Sequence, residues 1–514
     1  MSKNKNEFLF HLIKSLTKSE KRQFKIYAGR SYITNDKKFV QVFDVVEKQK
    51  VYDEQQLLNI KGLNEKQIPN LKVNLYKQIL ASLLNNSAMT QNNMVARQVE
   101  YARFLYNKCL YTESLTLIDK TKIIARENLQ LIMLLELLEI EKAAVLQTSE
   151  VNTSNRIQKL IDEIAEVGRQ LQNINRFSNL SISLTTYYQR VGFIRNTEDL
   201  KQVREYYQSN LPSFNPRQLS VLENLYLYGT VTAFYFFVQN FKEGYKYAKK
   251  SLAVFEENPQ LKKVKTEHYI KALNNLLVAQ NKLLLYSEFK ETHLLLISLK
   301  RQKDILLTEN LNLNLFKAIY IHEMNRHFML GEFKSGTRIV NALEKELLSF
   351  FPKLNRNTLM IFYYKIACLY FGAYQFKTAL KWLNKIINER VSDTREDLQS
   401  FARILRLICY YELGDSEMIQ YNILSTYRFL QKKQNFVSYQ QLIMKFLRNI
   451  KKTDTRSKTI KQFALLKQQM KKIENNRFEK RAFIYFDMVS WLESKIENKT
   501  MQEIVQQKAK QLLK

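Results

Sequence analysis

A 514-residue chain with 45% hydrophobic side chains carries ample apolar surface to bury, which excludes a disordered polymer. Ten Gly and five Pro are too few for the tight turns of a β-rich protein, so long helices joined by short polar connections are expected. The net charge of +32 is uneven: Lys445 to Arg481 nets +10, residues 1–87 net +8, and the long middle, 88–427, nets only +10.

The opening stretch MSKNKNEFLFHLIKSL sets lysines before apolar residues. His11 and Lys14 interrupt that run and no small-residue cleavage site follows, so a secretory signal is not expected. Thr17 and Glu20 have capping-box spacing, in which each side chain satisfies the other's free backbone donor. Residues 17–28 would be a basic helix, with Lys18, Lys21, Arg22 and Lys25 exposed, if a helix-turn-helix lay here. Asp53 offers a further N-cap, and Pro69 suits the first turn of a helix with Leu71, Leu75, Ile79 and Leu83 on one face. Residues 1–88 therefore read as about five short helices forming a small cap domain. The most apolar helix, around Leu129 to Leu146, carries Glu136, Glu139, Glu141 and Lys142, which a membrane span would not tolerate. No membrane insertion is expected.

From about residue 90 a repeat emerges. The strings NKCLYTESLTL, FVQNFKEGYKY, LYSEFKETHLL, MLGEFKSGTRI, FGAYQFKTALK and ELGDSEMIQY align on Tyr111, Phe241, Phe289, Phe333, Phe376 and Ser416. The last five anchors are 48, 44, 43 and 40 residues apart, and the longer gap after Tyr111 has room for two degenerate units. Three residues beyond the anchors stand Ser114, Gly244, Thr292, Gly336 and Ala379, with Ile419 the departure. Small side chains let two helices of a hairpin approach, an aromatic at the turn plugs its end, and stacked hairpins bury their open faces on one another.

The stretch IACLYFGAYQFKTALKWLNKII resembles a tetratricopeptide repeat: Ala367, Tyr370, Phe376, Ala379 and Leu383 fall at that motif's packing positions. Met324, Gly331, Phe333, Gly336 and Val340 form a weaker second match. The intervals exceed the family's usual length, its signature Trp is absent and Pro does not close each unit. The end segments LIKSLTKSEKRQFK and EKRAFIYFDMVSWLESK are similar to stretches of uncharacterised bacterial repeat proteins. The resemblance implies an all-α solenoid of antiparallel helix hairpins over residues 89–430, between the N-terminal cap and basic C-terminal helices at 431–514. It also implies a groove for a partner helix or peptide. By that register Tyr226, Phe236, Phe237, Phe328, Met329, Tyr364, Phe371, Phe401 and Tyr411 would line it, unless neighbouring coils or the terminal helices bury them. The lysine/asparagine clamp of some relatives is not visible, apart from Asn325.

Beyond residue 430 the repeat fades. Ile460, Phe463, Leu466, Met470 and Ile473 form one apolar helical stripe among lysines. Lys445, Arg448, Lys451, Lys452, Arg456, Lys458, Lys461, Lys467, Lys471 and Lys472 make a basic patch, either a solvated face or a dock for nucleic acid, a ribosome or an acidic protein.

Chemistry is sparse. His322 and His327 flank Glu323 in a segment that superficially resembles a zinc-protease helix. A spacing of five turns the two rings about 140° apart, which suits packing rather than metal binding. Cys109, Cys368 and Cys409 match no metal spacing or disulfide framework and are expected as buried small apolar residues. No glycine loop for phosphates exists. The reading is a non-enzymatic, cytoplasmic interaction scaffold with no cofactor, metal or small-molecule substrate; its alternative is a nucleic-acid or ribosome-associated factor.

Overall fold

The computed structural model describes residues 7–30, 38–86, 91–148, 153–191, 194, 196–302, 305, 307–350, 353–389, 395–432, 438–450, 455–476, 478–479 and 482–512. Among them the regular structure is helical, with no β-strand. The chain divides into two compact units, Met1–Glu150 and Val151–Lys514.

The first unit opens with α1 (Phe8–Ser15), α2 (Lys18–Arg30), α3 (Lys38–Lys48) and α4 (Ile68–Asn86). Ile13, Phe24, Phe43, Val46, Leu75 and Ile79 form their core. Thr17 and Glu20 cap α2 as their spacing predicts: the Thr17 amide donates to Glu20 at 2.7 Å, and the Glu20 amide donates back at 3.2 Å. Lys25 pairs with Asp44 at 2.7 Å and Lys21 with Glu47 at 3.3 Å, so half of the basic face expected on α2 is neutralised by α3. Next come α5 (Gln91–Asn107), α6 (Tyr111–Glu127) and α7 (Leu131–Val145), packed on one another. Two of the charges on the apolar α7 have partners: Glu141 is buried on Lys122 at 2.8 Å, and Glu136 receives Arg103. No helix among the described residues is long and apolar enough to cross a membrane.

The second unit starts with α8 (Thr153–Val191), a single 39-residue helix, followed by α9 (Thr197–Asn210). The two degenerate units expected after Tyr111 are therefore not formed. Residues 153–191 hold no Pro and one Gly, so nothing interrupts the helix. Then follow α10 (Val221–Phe237), α11 (Phe241–Glu257), the short α12 (Leu261–Val264), α13 (Thr266–Lys282), α14 (Tyr286–Ser298), α15 (Glu309–Leu330), α16 (Phe333–Phe350), α17 (Arg356–Gly372), α18 (Phe376–Ile387), α19 (Glu396–Glu412) and α20 (Ser416–Lys432). α11 packs on α10 and α13, each helix from α13 to α20 packs on the next, and α13, α15, α17 and α19 also pack on one another in order. The chain ends in α21 (Ser438–Asn449), α22 (Arg456–Glu474), α23 (Ala482–Tyr485), α24 (Met488–Glu497) and α25 (Met501–Leu512).

One turn recurs through both units. Cys109, Leu129, Gln239, Leu284, Gly331, Tyr374 and Gly414 each adopt a left-handed conformation, with φ from 50° to 71°. In each case the following amide donates to the carbonyl five residues back, as in Leu110 to Leu105, Asn240 to Tyr235 and Gln375 to Tyr370, at 2.8 to 3.0 Å. This closes the preceding helix, and the next begins two residues after the left-handed position. The aligned anchors Tyr111, Phe241, Phe333, Phe376 and Ser416 are the first residues of these second helices. Phe289 is not: α14 begins at Tyr286, so the alignment there was three residues late, and the spacings become 45, 47, 43 and 40. Cys109, expected to be buried, occupies a turn and is exposed, whereas Cys368 and Cys409 are buried.

The small residues act as expected. A Cβ on Gly244 would meet the Phe236 ring at 2.5 Å, so α10 and α11 close only because that position is glycine. Ser114 donates to the Ala102 carbonyl at 2.9 Å across α5 and α6.

The C-terminal helices return over α15, α17 and α19. Tyr485 stacks on Phe401 at 4.2 Å, Phe486 meets Phe371 edge-on, and Trp491 donates from Nε1 to Glu412 at 2.6 Å. Gly331 sits under α25, where a Cβ would lie 2.9 Å from the Gln502 carbonyl oxygen and the Gln506 nitrogen. Buried Arg395 forks onto Asp397, and the Tyr485 hydroxyl donates to the same carboxylate. The guanidinium lies 5.8 Å from the Tyr188 ring, which ties α8, α19 and α23 to one charged pair. Burial works against both charges, yet the mutual attraction raises the Arg395 pKa and holds that of Asp397 below its ordinary value.

Candidate functional site

The aromatic residues expected along one groove take up three kinds of position. Tyr364, Phe371, Phe401 and Tyr411 meet the C-terminal helices: Tyr364 touches Tyr485, Phe371 touches Phe486, Phe401 stacks on Tyr485, and Tyr411 lies 6.3 Å from Trp491. Phe236 and Phe237 pack inside their own neighbourhood, Phe236 against Phe241 across the turn and Phe237, buried, against Tyr187 and Tyr188 of α8. Tyr226, Phe328 and Met329 stay half-buried, Tyr226 on α10 and the other two near the end of α15.

Around Tyr226 the residues make a recess. Ser178, Ser181 and Ile182 of α8, Tyr226 and Gly229 of α10, and His268, Lys271 and Asn275 of α13 line a cavity of about 120 Å³. On α13 the polar residues His268, Lys271, Asn275 and Lys282 recur at helical spacing, so they share one face. The neighbouring helices add Lys317 from α15 and Lys365 from α17. Lys365 reaches Asn325 at 2.6 Å and lies 5.3 Å from the Phe328 ring. Asn325 also donates to His322 Nδ1 at 3.3 Å, and His322 Nε2 donates to Asn274 at 3.1 Å, so one polar network spans α13, α15 and α17.

The electrostatics of this face are unusual. Burial lowers the pKa of Lys271 and Lys317, and the charge of Glu267 offsets part of that. Lys271 is exposed to solvent yet crowded by protein on most sides, the combination a recess produces. Lys282 is pushed down to about 7 by burial and by the charge of Lys365, and burial lowers Lys365 to about 8. His268, 5.1 Å from Tyr226, is held at about 4 by burial and by Lys271 and Lys265. Cations crowded together with little neutralising carboxylate are stabilised when an anion arrives.

No match names this arrangement. Neither a family model, nor a curated protein, nor a solved structure matches the chain.

The sequence reading singled out Asn325 but missed its partners. Lys271, Lys282, Lys317 and Lys365 are scattered over about 95 residues and look like ordinary solvated lysines. Their available signal was the helical period of His268, Lys271 and Asn275.

The other candidates resolve into packing. His322 is engaged by Asn274 and Asn325, and His327 faces Glu323 at 3.4 Å and Glu332 at 3.2 Å. Burial would raise the Glu323 pKa, but hydrogen bonds from His327 and Arg326 hold it down to about 2. Among the described residues no cluster of His, Cys, Asp or Glu could hold a metal ion. Of the basic patch, Lys445, Arg448, Arg456, Lys458, Lys461, Lys471 and Lys472 are exposed, while Lys467 is half-buried on Glu493 at 2.8 Å. Lys451 and Lys452 lie outside the described residues. The stripe of α22 holds, with Phe463, Leu466, Met470 and Ile473 buried.

Proposed function

We propose that this chain is a cytoplasmic α-solenoid of tetratricopeptide-like antiparallel hairpins, and that it binds an acidic segment of a partner protein without catalysis. The carrying observation is the row of Lys271, Lys282, Lys317 and Lys365 on packed helices, with Tyr226 on the neighbouring α10, Phe328 beside Lys365, and Glu267 near Lys271 and Lys317. Lysines crowded on neighbouring helices, Lys271 of them in the recess, favour carboxylates, and half-buried rings supply apolar contact, which is the mixture an extended acidic peptide uses. The binding face avoids the aromatic residues Tyr364, Phe371 and Phe401, which are already occupied by the chain's own C-terminal helices.

The test is fluorescence anisotropy with a labelled 12-residue glutamate-rich peptide. Charge reversal at Lys282 and Lys365 should weaken binding by about tenfold or more, and added salt should weaken it further. Undiminished binding by the double variant would remove the assignment.

A second reading has its own observation: six cations, Lys445, Arg448, Arg456, Lys461, Lys471 and Lys472, stand exposed on α21 and α22. They suit nonspecific contact with nucleic-acid phosphates. Salt-sensitive binding of a single-stranded oligonucleotide, lost on Lys461→Glu with Lys471→Glu, supports that reading. Binding unaffected by those changes counts against it.

A further inference from the structure

A second surface lies away from the lysine recess. α20, the C-terminal ends of α19 and α21 and the start of α22 enclose a cleft of about 800 Å³ that is open on one side. One wall is a helical stripe of α20, Ile419, Ile423, Leu424 and Tyr427, and the lining also takes in Leu447 of α21 and Ile450 just beyond its end. Ile419 and Ile423 are buried at the base of this wall, and Leu424, 53% exposed, presents its side chain to solvent. The cause is the path of the chain. Phe463 of α22 packs against Tyr411 and Trp491, which draws α22 toward α24 and not onto α20.

We infer that this cleft docks an amphipathic helix of an acidic partner protein. Its shape carries the first half of the inference: a groove between two helices, walled by residues at i, i+4, i+5 and i+8, accepts the ridge of a third helix. An opening along one side would leave a small molecule half-exposed, whereas a helix needs one solvent face. Charge carries the second half. Arg448 stands exposed at the rim, with Lys445 and Arg456 exposed nearby. Glu412, the carboxylate in the lining, is already held by Trp491 at 2.6 Å and Lys495 at 2.5 Å. A second copy of this chain would bring a further net charge of +32 against that rim, which opposes self-association.

The probe is a labelled 16-residue helical peptide with leucines on one face and glutamates on the other, set beside a scrambled peptide of the same composition. Anisotropy should show binding at least tenfold tighter than the scrambled control. Leu424→Asp should weaken it about tenfold and Arg448→Glu several-fold, and circular dichroism should be unchanged because both residues are exposed. Lys282→Glu should leave it untouched, which separates this cleft from the recess. Equal binding of the scrambled peptide, or indifference to Leu424→Asp, overturns the inference. So does self-association in sedimentation velocity that Leu424→Asp abolishes, because the occupant is then a second copy.

Discussion

Seven left-handed turn residues close helices in this molecule, and five of them are not glycine: Cys109, Leu129, Gln239, Leu284 and Tyr374. A side chain in that conformation costs on the order of 1 kcal/mol or more, offset here by the two hydrogen bonds that close the helix. Leu284 is largely exposed and gives up little packing on replacement. Leu284→Gly is therefore expected to raise stability by up to about 1 kcal/mol in urea unfolding, and a loss of stability would show that the leucine contributes more by contact than its backbone costs. The same residues explain what could be read from sequence. Gly331 and Gly414 flag their turns, and an aromatic two residues after the turn marked the next helix at Phe241, Phe333 and Phe376. Leu284 carries no turn signal, so Phe289 was aligned in place of Tyr286.

At the scale of elements, the departure from a regular repeat lies in α8 and in the C-terminal helices. The hydrophobic character of α10 and α17 was legible, and so was the single apolar stripe of α22. Which of those apolar faces stays open was not, because Tyr364, Phe371 and Phe401 are covered by residues about 85 to 120 positions later in the chain. Gly331 is the tightest point of that return, with φ of 65° and α25 backbone atoms 2.9 Å from where a Cβ would stand. Gly331→Ala should cost about 1–3 kcal/mol in strain and loosen α25, so that limited proteolysis cuts earlier near Lys508 and Lys510. An unchanged cleavage pattern and midpoint would mean that α25 is not held there.

At the scale of the whole molecule, charge sets the pH response. Lys282 and Lys365 have folded pKa values below their unfolded ones, so between about pH 7 and 10 the unfolded chain binds more protons, and stability rises with pH. His268, His293 and His322 are depressed by burial as well, so stability falls as pH drops below their unfolded value near 6.5. Both effects place the optimum on the alkaline side of neutral, and Lys282→Met should flatten the slope above pH 7 in denaturant titrations. A slope unchanged by that substitution would mean that Lys282 titrates normally.

The same lysines give the most direct test of the lysine row. A carboxylate-rich ligand bound beside Lys282 and Lys365 must raise their pKa values, so at pH 8 the complex holds more protons than its separated parts. Isothermal titration of the glutamate-rich peptide in two buffers of different ionisation enthalpy measures that number. Net proton uptake, reduced in Lys282→Met, is the predicted result, and binding with no uptake or with proton release would contradict the assignment of the lysine row.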